Sequence, residues 1–234
     1  MNNSINYIIS NFLGTRRFCP SLNKDPLFYI KKQCDFFKNN TIPNVEMVSF
    51  VLSKCDIENR DQLFIDFINT IKLPVKHELI VRENRGFSYG AWQEVVMKNI
   101  NYDFHFLIED DYLPICNNFI DYFKTQLDEE TIFICQVYIC EHCSMSNGFL
   151  NSKIIRKEIN NINPKMPLNA VVDNECNYVT GINNQILFLK NFTDLNYKIK
   201  DLTKKCSIPF SDHLGNIIQR GNYEKETIIT SIAK

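Results

Sequence analysis

The sequence has few of the residues that interrupt secondary structure, with only 7 glycines and 8 prolines among 234 residues. This scarcity excludes a collagen-like or low-complexity chain and argues against long disordered segments. Long apolar runs are also missing, because asparagine, lysine or aspartate interrupts each run well before about 18 residues. We therefore expect no transmembrane segment. Met1–Ser10 has no basic stretch followed by an apolar segment, so no secretory signal is expected.

The chain also lacks an excess of either charge, since 26 basic residues face 27 acidic ones and the net charge is −1. Proteins that bind nucleic acid through its phosphates are normally more basic, so no nucleic-acid partner is expected. Hydrophobic residues make up 44% of the chain. This is enough for a substantial core without disulfides or a structural metal. We predict one domain over residues 1–234.

The cysteines number nine, an odd count, and they are scattered along a chain without an export signal. This usage predicts reduced thiols and a cytoplasmic protein. Cys140, His142 and Cys143 could bind zinc, but structural zinc sites normally pair two such groups and no second CxxC is present. Small buried side chains near a strand end are the favoured interpretation.

The first half of the chain alternates short apolar runs of strand length with helical patterns. The runs are rich in isoleucine, valine, phenylalanine and tyrosine. They are Ile5–Phe12, Val45–Leu52, His77–Val81 and Phe104–Ile108. The alternation predicts an α/β fold with a mostly parallel central sheet flanked by helices on both faces.

The second half is less regular. Tyr178–Leu189 is predicted to form one or two strands and Lys190–Tyr197 a short helix. Phe210–Gln219 is predicted to form another helix, with Ser211 or Asp212 as its N-cap.

Polar residues follow all four predicted strands, at the edge of the sheet where α/β proteins bind ligands. Arginines, a glycine-containing helix entry and three successive acids would meet there. This combination predicts an anionic ligand bridged by a metal ion. The residues are Ser10, Asn11, Arg16 and Arg17, then Ser53 and Asp56, then Arg85, Ser88 and Gly90, and finally Glu109, Asp110 and Asp111.

The three acids carry the strongest signal. Successive carboxylates repel one another, and a hard divalent cation such as Mg2+ or Mn2+ would relieve that repulsion. The alternative is an acidic cluster stabilised by a helix N-terminus. Pro114 and Asn117 separate Asp111 from the next predicted helix, which favours the metal.

Two segments carry a resemblance to a known family. Phe106–Pro114, followed by Phe119–Phe123, resembles the Glu-Asp-Asp segment of GT-A fold glycosyltransferases, especially the N-acetylglucosaminyltransferase I type. Glu83–Gly90 is similar to the Asn-x-Gly loop of family 2-like enzymes. The resemblance as a whole extends over roughly Ile5–Leu127, about half of the chain. The triplet departs from the more usual Asp-x-Asp pattern.

The resemblance implies a GT-A (Rossmann-like) fold and the Mn2+- or Mg2+-dependent transfer of a sugar from a nucleoside-diphosphate donor to a hydroxyl. The acceptor would be a glycan, a lipid-linked molecule or a protein, and glycan or polysaccharide synthesis the setting. Residues 1–127 would form the nucleotide-sugar-binding half and residues 128–234 the acceptor-binding half.

The resemblance also implies roles for individual residues. Asp111 would bind the metal, Asp110 the ribose or the metal and its waters, and Glu109 would lie near the nucleoside or sugar. The other implied donor-binding residues are Asn11 with Arg16 or Arg17 for base and phosphates, Asp56 for the nucleobase, and Arg85 and Ser88 for phosphate.

An inverting enzyme also needs a carboxylate to deprotonate the acceptor hydroxyl. Pro209–Leu214 loosely resembles the family's base motif, although it lacks the usual Glu-Asp pair. Asp212 is therefore the first candidate for the base, and Asp173 and Glu175 are the second. His213 could be an additional metal ligand.

Two other functions stay open. Leu13–Pro20 is similar to the Gly-Thr-Arg signature of sugar-1-phosphate nucleotidyltransferases, but the preceding glycine of that signature is absent. A transferase-like domain without activity, which only binds a partner or glycan, is the third possibility. Sugar transfer is the favoured prediction.

Overall fold

A computed structural model of the chain describes residues 3–14, 25–55, 57, 59–114, 118–135, 137–139, 142–145, 148–162, 178–201 and 210–212. These residues form eleven strands and six helices. The strands are β1 (Ile5–Phe12), β2 (Val45–Ser53), β3 (Lys76–Arg82), β4 (Phe104–Glu109), β5 (Tyr112–Pro114), β6 (Thr131–Cys135), β7 (Val137–Ile139), β8 (His142–Ser144), β9 (Gly148–Asn151), β10 (Lys198–Asp201) and β11 (Phe210–Asp212). The helices are α1 (Phe28–Asn39), α2 (Arg60–Thr70), α3 (Phe87–Lys98), α4 (Phe119–Lys124), α5 (Ser152–Glu158) and α6 (Tyr178–Thr193).

Seven strands form the main sheet, in the order β10-β6-β9-β4-β1-β2-β3. Neighbours within β4-β1-β2-β3 are parallel, and β10 is parallel to β6. Only β9 runs against its neighbours in this sheet, since it pairs antiparallel with β4 and β6. The predicted mostly parallel sheet is therefore confirmed. Two further pairs, β11 with β5 and β7 with β8, lie outside it.

Helices cover both faces of the sheet, as the sequence predicts. Alternate residues of β1 show this directly, because Tyr7 and Ile9 pack into one core cluster and Ile8 into the other. The first cluster includes buried side chains of α1, α2 and α4, and the second includes those of α3, α5 and α6. Burial on both faces explains the apolar runs that form β1, β2 and β4.

The predicted strands at Tyr178–Leu189 are wrong, because these residues belong to helix α6, which continues to Thr193. Phe188, Leu189 and Phe192 are buried on one side of the helix, at the spacing that a helical face requires. The predicted short helix at Lys190–Tyr197 is consequently the end of α6 followed by a turn. A run rich in isoleucine, phenylalanine and leucine suits either structure, and packing on the sheet decided between them.

The predicted helix at Phe210–Gln219 is wrong at its start. Phe210–Asp212 forms β11, which pairs antiparallel with β5 so that Asp212 lies opposite Tyr112. Backbone hydrogen bonding to β5 thus replaces the N-cap that Ser211 or Asp212 would have supplied. The rest of that predicted helix lies outside the described residues.

None of the helices within the described ranges combines the length and the apolar composition that crossing a membrane would require.

His105 in β4 is fully buried. Burial and the nearby positive charge of Arg156 lower the pKa of the imidazole to about 3. The unfolded chain therefore binds a proton on this residue below about pH 6.5 that the folded chain excludes, so the stability contribution is complete above that pH and is lost as the pH falls toward 3.

We expect His105→Leu to flatten the pH dependence of stability. The wild-type protein should lose about 2 kcal/mol from this group between pH 7.5 and pH 5, and the variant should not. Urea unfolding at the two pH values measures this, with His77→Gln, a half-buried histidine of β3, as the control. Equal losses in the wild type and His105→Leu would contradict the assignment.

Candidate active site

The strand order creates a switch point between β1 and β4. The chain continues from β1 to β2 and β3 on one side and then returns to place β4 on the other side of β1. The carboxyl ends of two such strands open a crevice, where ligands of α/β sheets bind. Ser10 of β1 lies beside Glu109 of β4 in the parallel register. The structure therefore brings the end of β1 next to the three acids.

Asp110 is held in place by the backbone of β1 and by a side chain of α1. Its N–H donates to the Ser10 carbonyl (3.0 Å), and its Oδ2 accepts from the Phe12 N–H (3.3 Å). Gln33 of α1 donates from Nε2 to the carbonyls of Asp110 (3.3 Å) and Tyr112. Asp110 is only 5% exposed. These bonds fix the turn that carries Asp110 and Asp111.

Asp111 does not begin a helix. It is followed directly by β5, and α4 starts eight residues later at Phe119. The acids are therefore not the N-terminal cluster of α4. Both Asp111 and Glu109 are half-buried.

Glu109 is joined to the start of α3. Its Oε1 accepts a hydrogen bond of 2.7 Å from Ser88 Oγ, in the first turn of that helix. One turn further along, Trp92 donates from its indole N–H to the Ile108 carbonyl (3.3 Å) and is completely buried. Trp92 is thus a core residue that fastens α3 to the end of β4. Ser88 thus lies beside the acids, and its part in phosphate binding stays a prediction.

Glycine is required both in the turn before α3 and in the first turn of that helix. Gly86 precedes the helix with φ of 73°, in the left-handed region that glycine tolerates. A Cβ at Gly90 would lie 2.1 Å from the Arg85 carbonyl oxygen and 2.9 Å from Arg82 Nη2. The Gly90 N–H donates to the Gly86 carbonyl (2.8 Å). The loop is therefore packed directly against the helix backbone. Arg85 itself is exposed at this edge.

We expect Gly90→Ala to destabilise the protein by about 1–3 kcal/mol, because the Arg85 carbonyl or the helix must move to admit the methyl group. Urea unfolding measures the difference, with Lys98→Ala at the exposed end of the same helix as the control. A Gly90→Ala midpoint equal to that of the wild type would contradict this close packing.

Asn11 is 1% exposed, and its side-chain amide nitrogen bonds to backbone carbonyls of the sheet. Nδ2 donates to the carbonyls of Ile9 (2.9 Å) and Val51 (3.3 Å). No partner for its Oδ1 occurs among the side chains that are described. That oxygen is buried as well, and the contact of Asn11 with the donor stays a prediction.

The structure places Asp212 beside the acids through its backbone. It pairs with Tyr112, the residue that follows Asp111. The remaining predicted site residues lie outside the described part of the chain. They are Arg16, Arg17, Asp56, Asp173, Glu175 and His213.

The donor set at the end of β4 fits a hard divalent cation. Two successive carboxylates, Asp110 and Asp111, offer oxygen ligands, and Mg2+ or Mn2+ commonly takes one or two carboxylates with substrate phosphates and water. Within the residues described, no group of three or more histidine, cysteine, aspartate and glutamate side chains is positioned around a common point. A site made of these two acids therefore needs ligands from the substrate, water or residues beyond the described ranges.

A hollow of about 370 Å3 lies elsewhere, where β2 and β3 begin. Phe37, Ile42, Val45 and Val75 contribute to its lining. Val45 begins β2 and Val75 directly precedes β3, so the hollow lies at the amino ends of these strands, at the opposite edge of the sheet from the acids. The candidate site is therefore identified by the carboxylates at the end of β4 and not by the size of a cavity.

Comparison with solved structures shows the fold. The chain is similar to the mannosyltransferase PcManGT from Pyrobaculum calidifontis, solved in complex with GDP-Man and Mn2+, with a TM-score of 0.51 and 11% identity over 84% of this chain and 54% of that chain. The chain thus spans about half the length of that protein. At this identity the likeness establishes the architecture, and the predicted GT-A fold is confirmed.

Two weaker similarities accompany it. One is to a CMP:2-keto-3-deoxy-manno-octonic acid synthetase complexed with CTP, with a TM-score of 0.46 and 10% identity over 85% of this chain and 88% of that chain. The other is to TarS 1-349 from S. aureus, with a TM-score of 0.47 and 12% identity over 85% of this chain and 58% of that chain. No family model and no curated protein matches the sequence.

Two residues near the site, Gln33 and Arg82, were not predicted from the sequence. Gln33 has the appearance of an ordinary helix residue, and Arg82 that of the last residue of an edge strand. Both are buried, although glutamine and arginine are usually exposed. Their burial results from the packing of α1 and α3 against the sheet, which the sequence alone does not show.

Proposed function

We propose that this protein is a metal-dependent glycosyltransferase that moves a sugar from a nucleoside-diphosphate donor to a hydroxyl acceptor. The observation that carries the proposal is the fixed turn of Asp110 and Asp111 at the switch point of a GT-A fold. Fold alone does not determine activity, so the proposal rests on this site together with the fold.

The proposed metal ligands are Asp110 and Asp111. A bound Mn2+ or Mg2+ supplies positive charge that stabilises the leaving nucleoside diphosphate. Asp110 is suited to this role because the Phe12 N–H, which donates to its carboxylate, and the Gln33 side-chain amide, which donates to its backbone carbonyl, orient it before any ligand arrives. Preorganised ligands of this kind avoid reorganisation during the reaction.

The start of α3 is the proposed phosphate-binding element. Its first N–H groups have no partner within the helix, and the positive end of the helix dipole attracts anions. The exposed Arg85 can add a bidentate guanidinium contact. Ser88 holds Glu109 at the same place, where that carboxylate can accept hydrogen bonds from the hydroxyls of the nucleoside or the sugar. Asn11, Arg16, Arg17 and Asp56 complete the proposed donor site.

Asp212 is the proposed general base, with Asp173 and Glu175 as the second choice and His213 as a possible metal ligand. The pairing of Asp212 with Tyr112 supports this choice, because it brings the residue next to the acids along the backbone. A base must lie within hydrogen-bonding reach of the acceptor hydroxyl, and the acceptor must bind beside the metal. The acceptor classes, the part in glycan synthesis and the cytoplasmic location stay predictions.

A screen of donor hydrolysis tests the proposal. The wild-type protein is incubated with UDP-, GDP- and dTDP-sugars with Mn2+ or with EDTA, and the released nucleotide is measured. We expect slow hydrolysis of one donor class that EDTA abolishes. Release of pyrophosphate from a nucleoside triphosphate and a sugar 1-phosphate would instead support a nucleotidyltransferase, whose signature Gly14–Arg16 partly matches. No hydrolysis and no nucleotide binding would reject the enzyme in favour of a binding domain.

A further inference from the structure

We propose that Arg82 is a positioning residue for donor binding, which fixes the segment 83–86 and the start of α3. The inference rests on the proposed sugar transfer, because it assigns Arg82 to the same site. It goes further by naming a residue that does not touch the donor and yet determines how well the donor binds.

Arg82 joins three elements through one guanidinium group. Nε donates to Glu94 Oε2 on α3 (2.9 Å), and Nη1 donates to Ser53 Oγ at the end of β2 (3.2 Å). Nη2 donates to the carbonyl of Arg85 in the loop before α3 (2.7 Å). The side chain is only 6% exposed, whereas that of Glu94 is 45% exposed. A buried cation at the end of an edge strand is costly unless it is paired and hydrogen-bonded, and these bonds give each of the three guanidinium nitrogens an acceptor.

The strand itself does not need this side chain. β3 is paired with β2 along its length, and the Arg82 carbonyl accepts a further bond from the Lys54 N–H (2.9 Å). What the guanidinium adds is a fixed distance between the strand, the loop and the helix. Arg82 lies at the carboxyl edge of the sheet, beside the proposed site. The arrangement that it fixes therefore affects ligand binding.

The loop and the guanidinium pack as one unit on Gly90. A Cβ at that position would meet both the Arg85 carbonyl oxygen and Arg82 Nη2. The absence of a side chain at Gly90 therefore creates the space that these two groups occupy. The same first turns of α3 carry Ser88, which donates to Glu109. A continuous set of contacts thus leads from Arg82 through the helix entry to the acids.

Only arginine can make this set of contacts. Its planar group presents donors in three directions at once, whereas a lysine ammonium is a point charge on a flexible stem that cannot reach all three acceptors. Arg82→Lys should therefore keep the charge and release the loop. Glu94→Gln should keep an acceptor for Nε and have a smaller effect.

The test separates positioning from general stability. The donor found by the hydrolysis screen is used with Mn2+, and donor KM and kcat are measured for the wild type, Arg82→Lys, Glu94→Gln and Lys98→Gln. Lys98→Gln is the matched control, because it removes an ion pair with Glu78 at the other end of the same helix. Urea unfolding shows that each variant is folded under the assay conditions.

We expect Arg82→Lys to raise donor KM about tenfold and to leave kcat within about twofold, because the donor itself must then order the loop. Glu94→Gln should raise KM by less, and Lys98→Gln should match the wild type. Amide hydrogen exchange without nucleotide should become faster in residues 83–91 of Arg82→Lys and stay unchanged in β1.

Two results would overturn the inference while leaving the proposed function intact. The first is an active wild type and an Arg82→Lys variant with unchanged donor KM, or with kcat alone reduced. The second is unchanged hydrogen exchange in residues 83–91 of that variant. A wild type without hydrolysis of any donor would instead overturn the proposed function and the inference with it.

Discussion

Replacing Asp111 with asparagine is expected to abolish the stabilisation of the protein by nucleoside diphosphate and Mn2+. In the wild type, a nucleotide at 100 times its Kd should add about 2.7 kcal/mol, which raises the midpoint of thermal unfolding by about 5–10 °C. The asparagine side chain has nearly the same shape but lacks the negative charge that attracts a hard cation. Without the metal, the diphosphate would face the remaining carboxylates of Glu109 and Asp110 uncompensated.

The measurement is a thermal unfolding scan of each protein with nucleotide and Mn2+, and with nucleotide and EDTA. Asp121→Asn is the matched control, since it removes an equal charge from an exposed position on the nearby helix α4. This control should keep the full gain. A full gain in Asp111→Asn would show that Asp111 does not hold the metal.

Asp212→Asn is expected to lower turnover by about a hundredfold or more while leaving the stabilisation by donor and Mn2+ unchanged. The reason is that a general base acts on the acceptor hydroxyl or water and contributes little to binding of the donor. Initial rates of nucleotide release, with the donor found by the screen, measure the effect. The thermal scan on the same samples measures donor binding.

Ser211→Ala is the control for this variant, because it changes the adjacent residue of β11 and leaves every carboxylate in place. Turnover of Asp212→Asn equal to that of the control would exclude Asp212 as the base. The same experiment would then be carried out on Asp173 and Glu175. Loss of donor binding in Asp212→Asn would point to a metal-binding role instead.

The sequence was sufficient to predict the first half of the fold. The four apolar runs became β1 to β4 with end points that differ by at most one residue. Burial on both faces makes β1, β2 and β4 mostly apolar, whereas β3 is a half-exposed edge strand. The carboxyl ends of parallel strands share one edge of the sheet, so the meeting of Ser88 with the acids followed from the topology. The choice of metal ligands remains a prediction of the residue chemistry.

The second half was harder to predict because its elements depend on tertiary contacts. The residues of α6 have a composition that suits a strand, and only the burial of Phe188, Leu189 and Phe192 against the sheet favours a helix. The strand β11 has only three residues, and its partner β5 is equally short. No periodicity can be read from three residues, so a local cap signal at Ser211 and Asp212 gave the wrong prediction.

Gln33 and Arg82 illustrate a different limit. Each acts through hydrogen bonds that join different elements: 77 residues separate Gln33 from the Asp110 carbonyl that it binds, and Arg82 joins β3 to β2 and α3. A side chain of this kind carries no local signal, since glutamine and arginine are common on helix and strand surfaces. Burial of a polar residue with satisfied donors is the feature that identifies it, and that feature requires a structure.

The central claim is that the acids at the end of β4 hold a divalent cation that neutralises a nucleoside diphosphate. The most direct measurement is an anomalous difference map from crystals of this protein grown with Mn2+ and the nucleoside diphosphate of the preferred donor. The account predicts one manganese peak about 2 Å from carboxylate oxygens of Asp110 or Asp111 and bonded to the diphosphate. A nucleotide bound with its phosphates away from these carboxylates, or manganese bound elsewhere on the chain, would contradict it.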